Sequence, residues 1–71
     1  MIRKGSKVSW KWGNGKAEGT VTATYAREIT KTIKGNEVTR NGTSDNKALL
    51  IEQKDGDEVL KLASEVQHIK K

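Results

Sequence analysis

Five cations open the chain, Arg3, Lys4, Lys7, Lys11 and Lys16, and no acid interrupts them before Glu18. Trp12 falls among them. Positive side chains with an aromatic ring interleaved are what a protein needs to follow a phosphate backbone and stack on a base. Such contacts go mostly to phosphate, so little selectivity for base sequence is expected. The charge excess is local: the chain carries +5, while residues 17–71 balance nine basic against nine acidic side chains. A field concentrated in one quarter of the chain favours anionic partners. The competing reading makes the lysines an ordinary solvated face beside a mobile tail, with Trp12 in the core.

Other chemistry finds little material. His68 is the only imidazole and there is no cysteine, so neither a second imidazole nor a thiolate can complete a transition-metal site or a disulfide. Asp55, Asp57 and Glu58 flank a turn without the spacing of a calcium loop. Gly13-Asn14-Gly15-Lys16 superficially suggests a phosphate-cradling loop, yet the full glycine, lysine and serine or threonine spacing is missing. No cofactor is implied. With 71 residues in one domain, residues 1–71, there is little room for a catalytic pocket, and a binding module without enzymatic activity is expected. No stretch approaches the ~20 apolar residues needed to cross a bilayer, and the N-terminus lacks the apolar run of a secretory signal, so a cytoplasmic chain that avoids membranes is expected.

The elements that must position these residues follow from period-two alternation. Lys7 to Trp12 places Val8, Trp10 and Trp12 on one face and Lys7, Ser9 and Lys11 on the other. Gly13-Asn14-Gly15 supplies a reversal. Thr20 to Tyr25 sets Val21, Ala23 and Tyr25 inward, and Gly19 suggests a bulge or a close backbone approach. Arg27 to Ile33 reads as a strand, Lys34-Gly35-Asn36 as a turn, and Glu37 to Arg40 as a polar edge strand. Asn41 to Asn46 is the longest loop. Ala48 to Gln53 reads as a central strand covered on both faces, and Asp55-Gly56 as a two-residue hairpin turn leading into Glu58 to Leu62. Ser64 and Gln67 fit a capping box for one C-terminal 3₁₀ or helical turn, after which Ile69 tucks back and Lys70-Lys71 frays. The expected fold is mainly β: a small SH3-like antiparallel barrel of five to six short strands.

The spaced set Lys4-Gly5-Ser6-Lys7-Val8-Ser9-Trp10 to Gly19-Thr20-Val21, Ile33-Lys34-Gly35, Val38-Thr39-Arg40-Asn41-Gly42, Asp45-Asn46, Ile51-Glu52-Gln53 and Val59-Leu60-Lys61 to Ser64-Glu65-Val66 resembles the hypervirulence-associated protein TUDOR-domain family. The resemblance implies a Tudor-like SH3 barrel and no particular substrate. Lys47 stands where that family usually has proline and Leu49 where it commonly has an aromatic, which argues against an aromatic cage. Two partner classes stay open: nucleic acid, DNA or RNA, on Arg3, Lys4, Lys7, Lys11, Lys16 and Trp12, or a peptide strand added at the Glu37 to Arg40 edge. A monomer is expected, although the polar hairpin between Ile29 and Arg40 leaves weak self-pairing open.

Overall fold

The computed structural model describes residues 2–69. Its strands are β1 (Lys7–Trp12), β2 (Gly15–Tyr25), β3 (Glu28–Ile33), β4 (Asn36–Asn41), β5 (Ala48–Gln53), β6 (Glu58–Leu62) and β7 (Gln67–His68), with a 3₁₀ turn at Ala63–Glu65 before the last. Five form one antiparallel sheet in the order β6-β5-β2-β1-β7, and β3 pairs only with β4. The outer strands β6 and β7 are not hydrogen-bonded to each other, so the sheet does not close into the expected barrel.

Each turn follows from its residues. Gly13-Asn14 alone joins β1 to β2, because Gly15 already pairs with Trp12. Lys34 and Gly35 both have positive φ, 52° and 80°, the pattern of a type I′ turn that matches strand twist. Asp55-Gly56 is not a two-residue turn. The Gly56 N–H donates to the Gln53 carbonyl at 2.9 Å and the Gln53 N–H to the Asp57 carbonyl at 2.7 Å. Gly56, at φ 90°, therefore occupies the left-handed third position of a three-residue loop, Lys54-Asp55-Gly56.

Strand β2 is longer than the alternation suggests, because its N-terminal half pairs with β1 and its C-terminal half with β5. At Gly19 it has partners on both sides, Val8 and Gln53. A Cβ there would lie 2.5 Å from Ile51 Cγ2 and 2.8 Å from the Glu52 carbonyl oxygen, so this is the close approach. The bulge lies further on: Val21 pairs with Ile51 but Ala23 with Leu50, leaving Thr22 as the extra residue. Its hydroxyl donates to the Leu50 carbonyl at 3.2 Å. One extra residue inverts the faces that follow. Tyr25, like Ala23, therefore shares a side with Ala48 and Leu50, away from Val21, contrary to the placement beside Val21 expected of both. Arg27 and Lys31 stand 5.7 and 5.6 Å from its ring centroid.

Val8, Trp10, Val21, Leu49 and Ile51 form the core, with Ile2, Ala17, Val59, Ala63 and Val66 packed around it. Ala48 and Leu60 are buried on the opposite side, so β5 is covered on both faces as its apolar run suggests. The β3–β4 hairpin lies against β6, with β4 making more of that contact than β3.

The 3₁₀ turn is capped differently from expectation. Glu65, not Ser64, supplies the cap: its Oε1 accepts the Leu62 N–H at 2.8 Å and Arg40 Nε at 2.9 Å, joining β4 to the turn. Ser64 instead exchanges two hydrogen bonds with the Asn46 side chain. Ile69 does return, its N–H donating to the Lys7 carbonyl at 2.8 Å. The Lys70-Lys71 tail lies outside the described residues.

Partial burial raises the Glu65 carboxyl, but the Leu62 N–H and the Arg40 guanidinium outweigh it and hold the group below the usual carboxylate range. A carboxyl lowered in this way contributes stability above its unfolded pKa and loses it as pH falls through the folded one. Glu65→Gln is expected to lower stability at neutral pH by about 1 kcal/mol in urea unfolding, and to flatten the decline between about pH 5 and 3. Gly19→Ala should cost about 1–3 kcal/mol in the same measurement through its clash with Ile51 and Glu52. Gly15→Ala, which meets nothing within 4 Å, should stay within about 0.5 kcal/mol.

Candidate nucleic-acid interface

The N-terminal cations stand on ordered backbone. Arg3-Lys4-Gly5-Ser6 is a turn closed by the Ser6 N–H on the Arg3 carbonyl at 2.9 Å, with Gly5 at φ 93°, and the Arg3 N–H donates to Ser6 Oγ at 3.0 Å. That turn is docked on β2. The Gly5 N–H donates to the Val21 carbonyl at 2.7 Å and the Val21 N–H to the Ser6 carbonyl at 2.9 Å, prolonging the β1–β2 ladder. Arg3 and Lys4 are thus carried on the sheet instead of a mobile tail, beside His68 in a shallow hollow.

Lys7, Ser9 and Lys11 share one face of β1, as alternation predicts. Ser9 is not wet, however; it is 7% exposed in the middle of the row. Cross-strand partners fill in the same face: Thr20 opposite Lys7, Glu18 opposite Ser9 and Lys16 opposite Lys11. Two lysines therefore sit directly across from each other at the hairpin end. All five cations are exposed, and among the described residues the ion pairs are Lys34 with Asp57 and Arg40 with Glu65, which include none of them.

Folding also breaks the positive run that the linear sequence presents. Glu18 comes between the Lys11/Lys16 pair and the Lys7 end, and Glu52 stands beyond Thr20 in the row that begins with Lys7. The result is two cationic groups, Lys11 with Lys16 and Arg3 with Lys4 and Lys7. Four residues of extended chain put Lys7 and Lys11 about 13 Å apart.

Trp12 does not join either group. It lies on the side of Val8 and Trp10, yet it is 72% exposed against 5% for Trp10, because β1 runs past the edge of the core before it turns. Its neighbours around a common hollow include Trp10, Ile33 and Val59, together with Asp55, Asp57 and Glu58. Asp55 and Asp57 repel phosphate there, whereas Lys34 lines the same hollow and Glu58 stands in register with Glu52, in the row of Lys7 on the other face. Period-two reading missed the exposure of Trp12 because a side chain's direction says nothing about where its cover ends. The acids reach Trp12 only through the β5–β6 turn. Lys34 reaches the same place from the β3–β4 turn, where its ammonium contacts Asp57 Oδ2 at 2.8 Å; that hydrogen bond chiefly raises the lysine and lowers the aspartate.

The other expected interface is less open than its polar sequence suggests. Arg40 of β4 is tied to Glu65, and β4 is the hairpin strand nearest β6. Among the described residues no group of three or more His, Asp or Glu is gathered to hold a metal ion, and no helix is long and apolar enough to cross a membrane.

A family model described as Hypervirulence associated proteins TUDOR domain matches residues 5–66, a span running from the docked turn through the 3₁₀ turn. The chain belongs to this family. This TUDOR chain matches no curated protein and no solved structure. Membership makes it a small binding module by type.

The two tryptophans should separate cleanly in experiment. Trp12→Ala is expected to change unfolding stability by less than about 0.5 kcal/mol. Trp10→Ala should cost about 3–5 kcal/mol, enough to unfold much of so small a protein, and acrylamide should quench Trp12 far more than Trp10.

Proposed function

We propose that this TUDOR domain is a non-enzymatic module that binds nucleic acid through phosphate, with Lys11 and Lys16 at the centre and Arg3, Lys4 and Lys7 as a second contact group. The observation that carries the reading is the Lys11/Lys16 pair itself. Like charges directly opposite on neighbouring strands destabilise a sheet by roughly 0.2–1 kcal/mol, and no acid is paired with either lysine among the described residues. A phosphate between them removes that repulsion. Trp12 is not part of this site.

Strand order supports an SH3-like plan behind it, with the last strand returning to β1 after a 3₁₀ turn and the β3–β4 hairpin set into the connection between β2 and β5. Such a plan leaves the β1–β2 hairpin projecting as a contact element. Because Glu18 separates the two cationic groups, engagement of two or three phosphates is expected in place of five.

The test is a titration of the isotope-labelled protein with a short DNA duplex at several salt concentrations. Affinity should fall with a log-log slope of about −2 to −3, the value for two or three duplex phosphates at roughly −0.9 each. Lys11→Ala with Lys16→Ala should remove most binding, while Glu18→Gln should tighten it. Absence of amide shifts at low salt, or shifts centred away from residues 3–20, overturns the proposal.

A further inference from the structure

We infer that the free edge of β3 pairs antiparallel with β3 of a second copy of this chain, in the register that sets Thr30 opposite Thr30. This goes beyond the nucleic-acid reading and uses a different part of the molecule. Lys34-Gly35 is a two-residue turn, so Ile33 and Asn36 make both of their backbone hydrogen bonds to each other. By alternation Ile29 and Lys31 also direct their N–H and C=O at β4, while Glu28, Thr30 and Thr32 direct theirs away from it. The Thr30 and Thr39 hydroxyls, 2.8 Å apart, mark the closer, non-hydrogen-bonded kind of pair that this assignment requires. β3 has no second strand neighbour, and the outward groups of Glu28, Thr30 and Thr32 find no backbone partner among the described residues.

The edge is presented instead of blunted. The chain has no proline, and the β3–β4 ladder runs its whole length without a bulge. Ion pairs at Lys34 and Arg40 tie the hairpin to the β5–β6 turn and to the 3₁₀ turn. Because β4 makes more of the contact with β6, β3 is the outer strand of the hairpin. A lysine in the middle of an edge ordinarily discourages pairing, but the Lys31 ammonium stands 5.6 Å from the Tyr25 ring centroid, drawn back over its own chain.

Self-complementarity selects a second copy as the occupant and fixes the register. Hydrogen bonds between copies require outward residues opposite outward residues, so each register is centred on one residue; near the middle of the strand the choices are Ile29, Thr30 and Lys31. Centring on Ile29 puts Arg27 opposite Lys31, and centring on Lys31 puts that lysine opposite itself, so both oppose like charges. Centring on Thr30 opposes none. Thr30 then meets Thr30, Glu28 meets Thr32, and Ile29 meets the methylene stem of Lys31. The result is a four-stranded sheet in the order β4-β3-β3-β4, with the Thr39 and Thr30 hydroxyls of both copies in one row.

The test is a dilution series of the full-length labelled chain without nucleic acid, from roughly 2 mM to roughly 0.02 mM, read by amide shifts and sedimentation equilibrium. Few hydrogen bonds and little apolar cover imply a weak dimer, with a dissociation constant on the order of 1 mM. Mass above the monomer is expected at the upper end, with concentration-dependent shifts centred on Glu28, Thr30 and Thr32. Mixing labelled with unlabelled chain should give a filtered NOE between Hα of Ile29 and Hα of Lys31 in the other copy, since these form the close, non-hydrogen-bonded pair of this register. Thr30→Pro, which removes an outward N–H and none of the β3–β4 hydrogen bonds, should abolish association. Thr30→Lys, which sets two ammonium groups face to face, should weaken it about two- to fivefold at low salt. Trp10 dispersion reports whether each variant folds; should Thr30→Pro fail to fold, Thr30→Lys decides. A monomer throughout the series, shifts centred on another strand, an NOE in another register or undiminished association of Thr30→Lys overturns the inference. Thr30 lies outside residues 3–20, so duplex binding and self-association fail separately.

Discussion

Strand β2 is held by hydrogen bonds along both edges, and the rest of the molecule is arranged to make that possible. At Gly19 and Thr20 it pairs with β1 on one side and β5 on the other, with Ile51 packed so close that any side chain at position 19 would strike it. Three residues later the Thr22 bulge turns the strand and exchanges its faces. Before the bulge, β2 contributes Ala17 and Val21 to the core side; after it, Tyr25 belongs to the other side, where Ala48 and Leu60 are buried. One bent strand thus gives a protein with few apolar residues two small buried regions in place of one.

Alternation along β1 and the first half of β2 sorts the charge. Lys7, Lys11 and Lys16 fall on one side of the β1–β2 hairpin, whereas the end of the core side meets Asp55 and Asp57 of the β5–β6 loop. Two like-charged pairs, Lys11 with Lys16 and Glu52 with Glu58, are left facing across neighbouring strands. Repulsion of this kind works against the sheet by roughly 0.2–1 kcal/mol per pair. The two ion pairs among the described residues do different work, anchoring the β3–β4 hairpin at its tip through Lys34 and near its base through Arg40.

Much of this was legible residue by residue. Alternation located β1, β3 and the C-terminal half of β2, glycine with asparagine or lysine located the turns, and the apolar run in Ala48 to Gln53 indicated a strand buried on both sides. Errors arose where a local signal had two outcomes. Gly19 was compatible with a bulge or a close approach, and only the position of Ile51 separates them. Ser64 and Glu65 both offer oxygens near the start of the last turn, and the acid wins because Arg40 arrives from β4 to hold it. Tyr25 was misplaced by the Thr22 bulge, which inserts one residue into the count and leaves no mark in the composition. Of the candidate site, the five cations are legible in the sequence as a cluster, while the interruption by Glu18 follows from β1–β2 register and that by Glu52 from a strand remote in the chain.

What the amino-acid sequence determined alone is the set of short strands, their turns and the location of excess charge, because these depend on side-chain alternation and backbone freedom over a few neighbouring residues. Tertiary structure alone decided which of the two tryptophans is covered, which face Tyr25 takes, whether the sheet closes, and which charges meet. Those outcomes depend on register and on where one strand outruns its neighbour, quantities fixed by contacts between residues tens of positions apart.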